Sequence, residues 1–325
     1  MFKHIKAKSK LKIVLILTLA VIAIVLTGCP QGEQKPEQPE VREAPEMLEA
    51  EPQISVYMHE TGATVEMGIE EYLQGVVAAE MEPTWHEEAL AAQAIIARSF
   101  TMKKIEEGGV EARGTDASTD INEFQAYSEE RVNDNVVAAV ERTRGEVALY
   151  NGEYINAWFH ADAGGITATA QEGLDFANEE PPYIHSVEDP GIEITEEDNK
   201  AWEARFPLGR VQGAVQEIGG SPGGGITSAE IVETGPSGRA TVVRLGDAEV
   251  SAPALRLALD STVMRSTLID TFEIQGNELV VAGKGYGHGV GMSQWGARYW
   301  AEDGSSAEDI VAYYFKDVEI MKMWE

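Results

Sequence analysis

The scarcities of this sequence narrow its function first. It holds one cysteine, Cys29, six histidines, and 25 basic residues against 55 acidic ones, for a formal net charge of −30. A polyphosphate is bound by neutralising it with Lys and Arg, so this charge argues against nucleic acid as a partner. It also repels anionic lipid and anionic wall polymers. A solubility adaptation, with salt screening the self-repulsion, accounts for the acidity without a specific cation role. The glycines of 283–291 are not spaced G-x-G-x-x-G, no Walker-type Lys-Ser/Thr follows them, and Trp85-His86-Glu87-Glu88 is not H-E-x-x-H. Dinucleotide, P-loop and H-E-x-x-H zinc sites therefore lack their signatures. Apolar residues make up 43% of the chain, an ordinary share, so a packed core is available.

Residues 1–12 carry Lys3, Lys6, Lys8, Lys10 and Lys12 and no acid, and 13–26 is an almost unbroken apolar run. This is the charged-then-apolar order of a secretory signal, and the run falls short of the about 20 residues that span a bilayer. It ends in Leu26-Thr27-Gly28-Cys29, which resembles the bacterial lipobox, where a peptidase cuts before a cysteine that carries a diacylglyceryl thioether. We expect a signal peptide over 1–28, lipidation at Cys29, and a mature chain held on the outer face of the cytoplasmic membrane. The alternative is an uncleaved anchor with an idle thiol. An odd cysteine in an exported chain needs an explanation; lipidation supplies it and leaves no thiolate for a zinc set or a nucleophile. Residues 29–53 then read as a linker rich in Pro, Glu and Gln, with too few large apolar residues to form a core. It would reach roughly 25–30 Å as a flexible chain. The folded part, 54–325, begins near Ile54.

Within 70–81, Leu73, Val76, Val77 and Glu80 fall at i, i+3, i+4 and i+7. That is the stripe of an amphipathic helix, and its last member is a carboxylate. Pro83 ends the helix, and Thr84 with Glu87 reads as a capping box for a second helix over 87–107, which closes on Lys103, Lys104 and Gly108-Gly109. Burial and the negative end of the helix dipole would both raise the Glu80 pKa, as a general acid near neutral pH requires. The other reading pairs Glu80 with a base such as Arg98 in a buried ion pair.

The rest is richer in strand signals. Segments 146–150 and 153–159 flank Asn151-Gly152, a type I′ hairpin signal, and the second delivers His160 into a polar loop. Segments 271–274 and 278–282 predict another hairpin around Gln275-Gly276-Asn277. Next comes Gly283-Lys284-Gly285-Tyr286-Gly287-His288-Gly289-Val290-Gly291, where alternate glycines let backbone approach a ligand closely. Ser293 can cap a helix from Gln294 into Trp300. Segment 179–235 is acidic, Pro- and Gly-containing and poorly periodic, and reads as a second lobe or a long excursion. The expected class is α+β: helices carrying the Glu80 motif packed with β-hairpins, in two lobes around a groove. A zinc site on His160, His185 and His288, or a Ser293–His288 nucleophile, has weaker support.

The runs Y-L-Q-G-V-V-A-A-E-M and W-H-E-E-A-L-A-A-Q-A-I-I-A-R-S-F, and G-K-G-Y-G-H-G-V-G-M-S-Q-W-G-A at 283–297, resemble the stage II sporulation protein D family. F-H-A-D-A-G-G-I-T at 159–167 and P-Y-I-H-S-V-E-D-P at 182–190 fit as well; Ser237-Gly238-Arg239 and Leu255-Arg256 fit more loosely. The resemblance implies a lytic transglycosylase that cuts peptidoglycan glycan strands, in septal wall remodelling during sporulation, after a partner amidase has removed the stem peptides. It carries the family's catalytic glutamate onto Glu80. It suggests substrate-binding roles for His160, His288, Ser293, Gln294, Tyr286 and Arg98, with Trp295 either on a sugar or in the core. Some family members hold a zinc on cysteines in the segment matching 116–127; this chain has none there, so no metal or other cofactor is carried over. A non-catalytic, wall-binding enhancer of an amidase is the alternative.

Overall fold

The computed structural model describes residues 45–325. The signal peptide expected over 1–28, the lipidation expected at Cys29 and the greater part of linker 29–53 lie outside the described residues. Among those described, no helix is long and apolar enough to cross a membrane.

Strand β1 (Gln53–Met58) pairs antiparallel with β2 (Ala63–Gly68), in register from Gln53↔Gly68 to Met58↔Ala63. β2 runs directly into helix α1 (Ile69–Glu80), with Glu70 and Glu71 in its first turn, where the helix dipole favours acids. The stripe is buried as its spacing predicts: Leu73, Val76 and Val77 are fully inside, each such side chain contributing about 1.5–3 kcal/mol by leaving water. Helix α2 (Glu87–Glu106) follows. Its cap differs from the expected Thr84–Glu87 box: His86 stands at the N-cap and its Nδ1 accepts the Glu88 N–H at 3.3 Å. Thr84 falls instead in a turn closed by the Trp85 N–H on the Glu82 carbonyl.

α2 is the axis of the first core. Ala89, Ala91, Ala92, Ala94 and Ala97 are all buried, and such short side chains let several elements approach one helix closely. β3 (Ala117–Ser118) lies parallel to β1. α3 (Asp134–Arg142), capped by the Asn133 side chain, packs on α1 and α2. β4 (Glu146–Tyr150) and β5 (Glu153–Tyr154) form the predicted hairpin, with Asn151 at φ 50° and Gly152 at φ 79°, both positive as a type I′ turn demands. The strand expected over 153–159 is divided: β5 stops at Tyr154, and β6 (Phe159–His160) pairs elsewhere.

The chain then builds a second core. β7 (Trp202–Pro207), α4 (Leu208–Glu217), β8 (Ala229–Thr234), β9 (Ala240–Leu245), β10 (Ala248–Ser251), α5 (Ala252–Leu259), β11 (Ile269–Gln275) and β12 (Glu278–Gly283) make two antiparallel sheets, ordered β10-β9-β8 and β11-β12-β7, with α4 and α5. Trp202, Phe206, Val215, Val243, Leu255, Met264 and Val281 cluster inside. This core is drawn from 202–281, whereas the composition of 179–235 suggests a lobe starting and ending earlier. β7 alternates buried Trp202, Ala204 and Phe206 with exposed Glu203, Arg205 and Pro207, and its charges hide it within an acidic stretch. The expected second hairpin is present, with Gln275 opposite Glu278.

On its return the chain forms β13 (Met292–Ser293), parallel to β6, then α6 (Gln294–Glu302), α7 (Ala307–Tyr314) and β14 (Glu319–Lys322), which pairs with β4. Ser293 caps α6 through the Gly296 N–H at 3.1 Å. Helices, hairpins and small sheets around two cores make this an α+β fold.

Candidate functional site

Glu80 is the last residue of α1, and it opens into a cavity of about 570 Å³. Phe100 of α2 and Ile121, Phe124 and Gln125, from the loop after β3, form one wall. Trp158, Phe159, His160 and Ala161 around β6, Tyr286 to His288, and Gln294 of α6 form the others. Arg256 reaches in from α5 of the second core. Both cores thus contribute to the lining.

The glycine-rich segment is shaped by close backbone contact with 159–168. The N–H groups of Asp162 and Tyr286 each donate to the other's carbonyl, at 2.9 and 2.8 Å, and the Ala168 N–H donates to the Gly289 carbonyl at 2.7 Å. Gly287, at φ 114°, would put a Cβ 2.7 Å from the His160 Cβ, and Gly289, at φ 84°, would put one 2.5 Å from the Arg239 guanidinium. Only glycine meets both demands. Arg239 is fully buried behind this segment, donating from Nη1 to the Ile166 carbonyl and from Nη2 to the Ala163 carbonyl at 2.8 and 2.6 Å.

Electrostatics set the Glu80 carboxyl apart. Burial pushes its pKa up to about 7; the Ala126 N–H, donating to Oε1 at 2.9 Å, and the Gln294 side chain pull back in the other direction. Two hydrogen bonds to the charged form only partly offset its desolvation. Both cavity histidines are held neutral. His288 is pushed down to about 3, first by burial and then by the Arg256 charge; His160 is lowered by burial, then by His288 and Arg239. Their rings lie 5.5 Å apart. His160 Nδ1 faces the Val290 carbonyl at 3.1 Å. A carbonyl only accepts, so Nδ1 carries the proton and Nε2 is a bare lone pair; that Nε2 is buried with no partner among the described residues.

Of the residues singled out in the sequence, Glu80, His160, Tyr286, His288 and Gln294 share this cavity. Arg98 and Ser293 do not line it. Arg98 is fully buried and grips Glu70, with Nη2–Oε2 at 2.6 Å and Nε–Oε1 at 3.1 Å. It neither faces a substrate nor pairs with Glu80, because one helical face of α1 brings the more N-terminal carboxylate to it. Ser293 is fully buried; its Oγ accepts the Gly296 N–H in the α6 cap, and its hydroxyl also meets the Asp189 carboxylate. His185 approaches the Tyr313 carbonyl at 3.2 Å and is not part of the lining. Trp295 packs on Trp85 at 4.7 Å, and Arg298 lies over both rings at 5.1 and 5.2 Å. Arg265 covers Tyr286 at 5.0 Å.

Sequence reasoning missed the loop wall. Segment 116–127 has no periodicity, yet it supplies Ile121, Phe124, Gln125 and the Ala126 N–H. It does not fit a zinc: it holds no thiolate or imidazole, and its acids are engaged, Asp116 by Ser55, Asp120 by Asn122 and His59, Glu123 by Arg113 and Ser118. Phe100, Trp158 and the cavity position of Arg256 were missed too. The aromatic run Trp158-Phe159 before His160 was the one available signal.

Known proteins resemble this chain over the same elements. A family described as Stage II sporulation protein matches residues 57–150, from β1 through α1 and α2 to β4. The stage II sporulation protein D of Bacillus subtilis is 29% identical over 297 residues, covering 85% of this chain and 81% of that protein. An uncharacterised protein of Brachyspira hyodysenteriae is 31% identical over 258 residues, 79% of this chain and 67% of its own length. The amidase enhancer of Bacillus subtilis is 28% identical over 289 residues, 75% of this chain and 39% of that longer protein. With the two long motifs in order on one cavity and these relatives aligned along most of its length, the chain belongs to the stage II sporulation protein D family.

Proposed function

We propose that this protein is a lytic transglycosylase that cleaves peptidoglycan glycan strands, with septal wall remodelling during sporulation as its setting. The observation that carries the reading is Glu80, the one carboxyl among the described residues lining the cavity, with its pKa near 7. Hydrolysis of a glycosidic bond by either common route uses two flanking carboxyl groups. The lytic route uses one. The protonated Glu80 gives its proton to the glycosidic oxygen between N-acetylmuramic acid and N-acetylglucosamine, and the C1–O bond breaks. The resulting carboxylate takes the proton from the muramic 6-hydroxyl as O6 bonds to C1. A 1,6-anhydro end forms and the acid is regenerated without water. A pKa near the working pH suits a group that gives and takes a proton in one cycle. On this reading His160, His288 and Gln294, which line the cavity, hold sugar hydroxyl or N-acetyl groups.

We further propose that the chain is exported and lipid-anchored at Cys29, which would keep the domain near the wall layer closest to the membrane. The Cys29→Ala protein should then leave the membrane fraction.

A second reading, a non-catalytic enhancer of a wall amidase, is favoured by the relative bearing that name. The full-length chain on glycan strands stripped of peptide, with products read by mass spectrometry, separates the two. Anhydro ends made by wild type and lost in Glu80→Gln support the enzyme. No cleavage by wild type, together with faster cleavage by an added amidase, supports the enhancer.

A further inference from the structure

Among the described residues, Arg256 is a buried cation with no counter-ion. It is 8% exposed, extends from α5 and lines the cavity that holds Glu80. Its Nε donates to the Arg265 carbonyl at 3.0 Å and its Nη2 to the Ser261 carbonyl at 3.1 Å. Among the described residues Nη1 has no hydrogen-bond partner, and no carboxylate forms an ion pair with the guanidinium. The other buried arginines are matched: Arg98 grips Glu70, and Arg239 sits in the field of Glu172, Asp189 and Asp162. The sequence has 55 acids and 25 bases, yet among the described residues the one buried guanidinium left without an acid is the one in the cavity. Taking an ion out of water is costly unless a partner or ligand meets it. Two carbonyls fix the fork in place, and a fixed guanidinium edge matches a carboxylate. Its neighbours there are the neutral His288 and His160, the latter with an unpartnered acceptor at Nε2.

We propose that Arg256 is a specificity-determining residue that binds a carboxylate of the glycan strand, and that this carboxylate is the free lactyl group of N-acetylmuramic acid. This rests on the reading that the cavity takes peptidoglycan strands. The sugars of such a strand carry no charge of their own; the lactyl group is ionised only where no peptide is joined to it by an amide. Arg256 therefore reads the absence of a stem peptide as the presence of a negative charge.

The test reads binding, so its outcome stands whether or not strands are cut. The full-length Glu80→Gln chain is titrated with three strands: peptide-free, peptide-free with the lactyl carboxylates converted to neutral methylamides, and peptide-bearing. The first should bind roughly ten- to hundredfold more tightly than the other two, the worth of a hydrogen-bonded charge pair. Adding Arg256→Gln should remove that preference, so that the free and methylamide strands bind equally, while Arg256→Lys keeps part of it. Equal binding of the free and methylamide strands, or a preference that survives Arg256→Gln, overturns the inference alone. Peptide-bearing strands binding as tightly as peptide-free ones would assign the anion to the peptide and overturn the lactyl assignment. Binding to no strand would sink the wall-strand reading with it. The strand comparison in the Arg256 chain does not depend on any arginine variant folding.

Discussion

Glu70 and Glu80 stand near opposite ends of α1. Glu70 is 2% exposed, and its carboxylate accepts four hydrogen bonds: two from Arg98, one from the Gly145 N–H and one from the Trp324 indole. Glu80 accepts the Ala126 N–H and a contact from Gln294, and faces a cavity. One carboxylate is saturated with donors and clamps α1 to α2, β4 and the chain's C-terminal tryptophan. The other is short of donors, and its pKa rises to about 7. The same side chain on the same helix becomes a structural anchor or a candidate acid according to how many donors meet it.

Exchanging these roles should fail in different ways. The largest effect expected is on turnover: Glu80→Gln keeps the fold and loses about 10²–10⁴-fold in strand cleavage, the usual worth of a general acid–base. An intact rate would leave Glu80 as structural as Glu70. Next, Arg98→Met leaves the Glu70 charge buried and unpaired, which should cost about 3–5 kcal/mol of stability. Urea unfolding would register that loss, while the folded fraction still binds strands normally. Weaker strand binding by fully folded Arg98→Met would return Arg98 to the substrate.

The pH dependence sharpens the contrast further. The Glu80 pKa is raised from 4.5 to about 7 on folding, so between these values the folded state holds a proton that the unfolded state releases. The resulting stabilisation is complete below pH 4.5 and lost as pH rises through about 7. Glu80→Gln should therefore gain on wild type across that window by roughly 1–3 kcal/mol, a figure reduced for the partial exposure of the carboxyl. Denaturant midpoints that run parallel across the window would show that Glu80 is not raised. The smallest effect is on the rate profile. Gln294→Leu removes a donor from the charged form, so the alkaline limb of strand cleavage should move up by about half to one pH unit; a downward shift would mean that Gln294 acts on another group.

Local patterns carried a good part of this molecule. The stripe through Leu73, Val76 and Val77 marked Glu80, Asn151-Gly152 marked a hairpin that forms, and Ser293 marked a helix start. The capping residue of α2 was misplaced because a histidine, rather than the expected threonine, turns its ring to the first free N–H. The choice between Glu70 and Glu80 as the partner of Arg98 was not legible, since both lie on α1 and the decision rests on where α2 and β4 meet it. Nor was the loop wall of the cavity, because 116–127 is held by scattered side-chain contacts with no period to read.

The sequence by itself determined the α+β class, the family motifs, the acidic balance and the candidate acid, because these depend on residues close together in the chain. Tertiary structure alone decided that Arg98 belongs to Glu70, that the Ser293 hydroxyl is turned to a cap and to Asp189, and that His160, His288 and Arg256 converge on Glu80. Those outcomes depend on which donors arrive from distant segments and how much water they displace, and that is a property of the packed molecule.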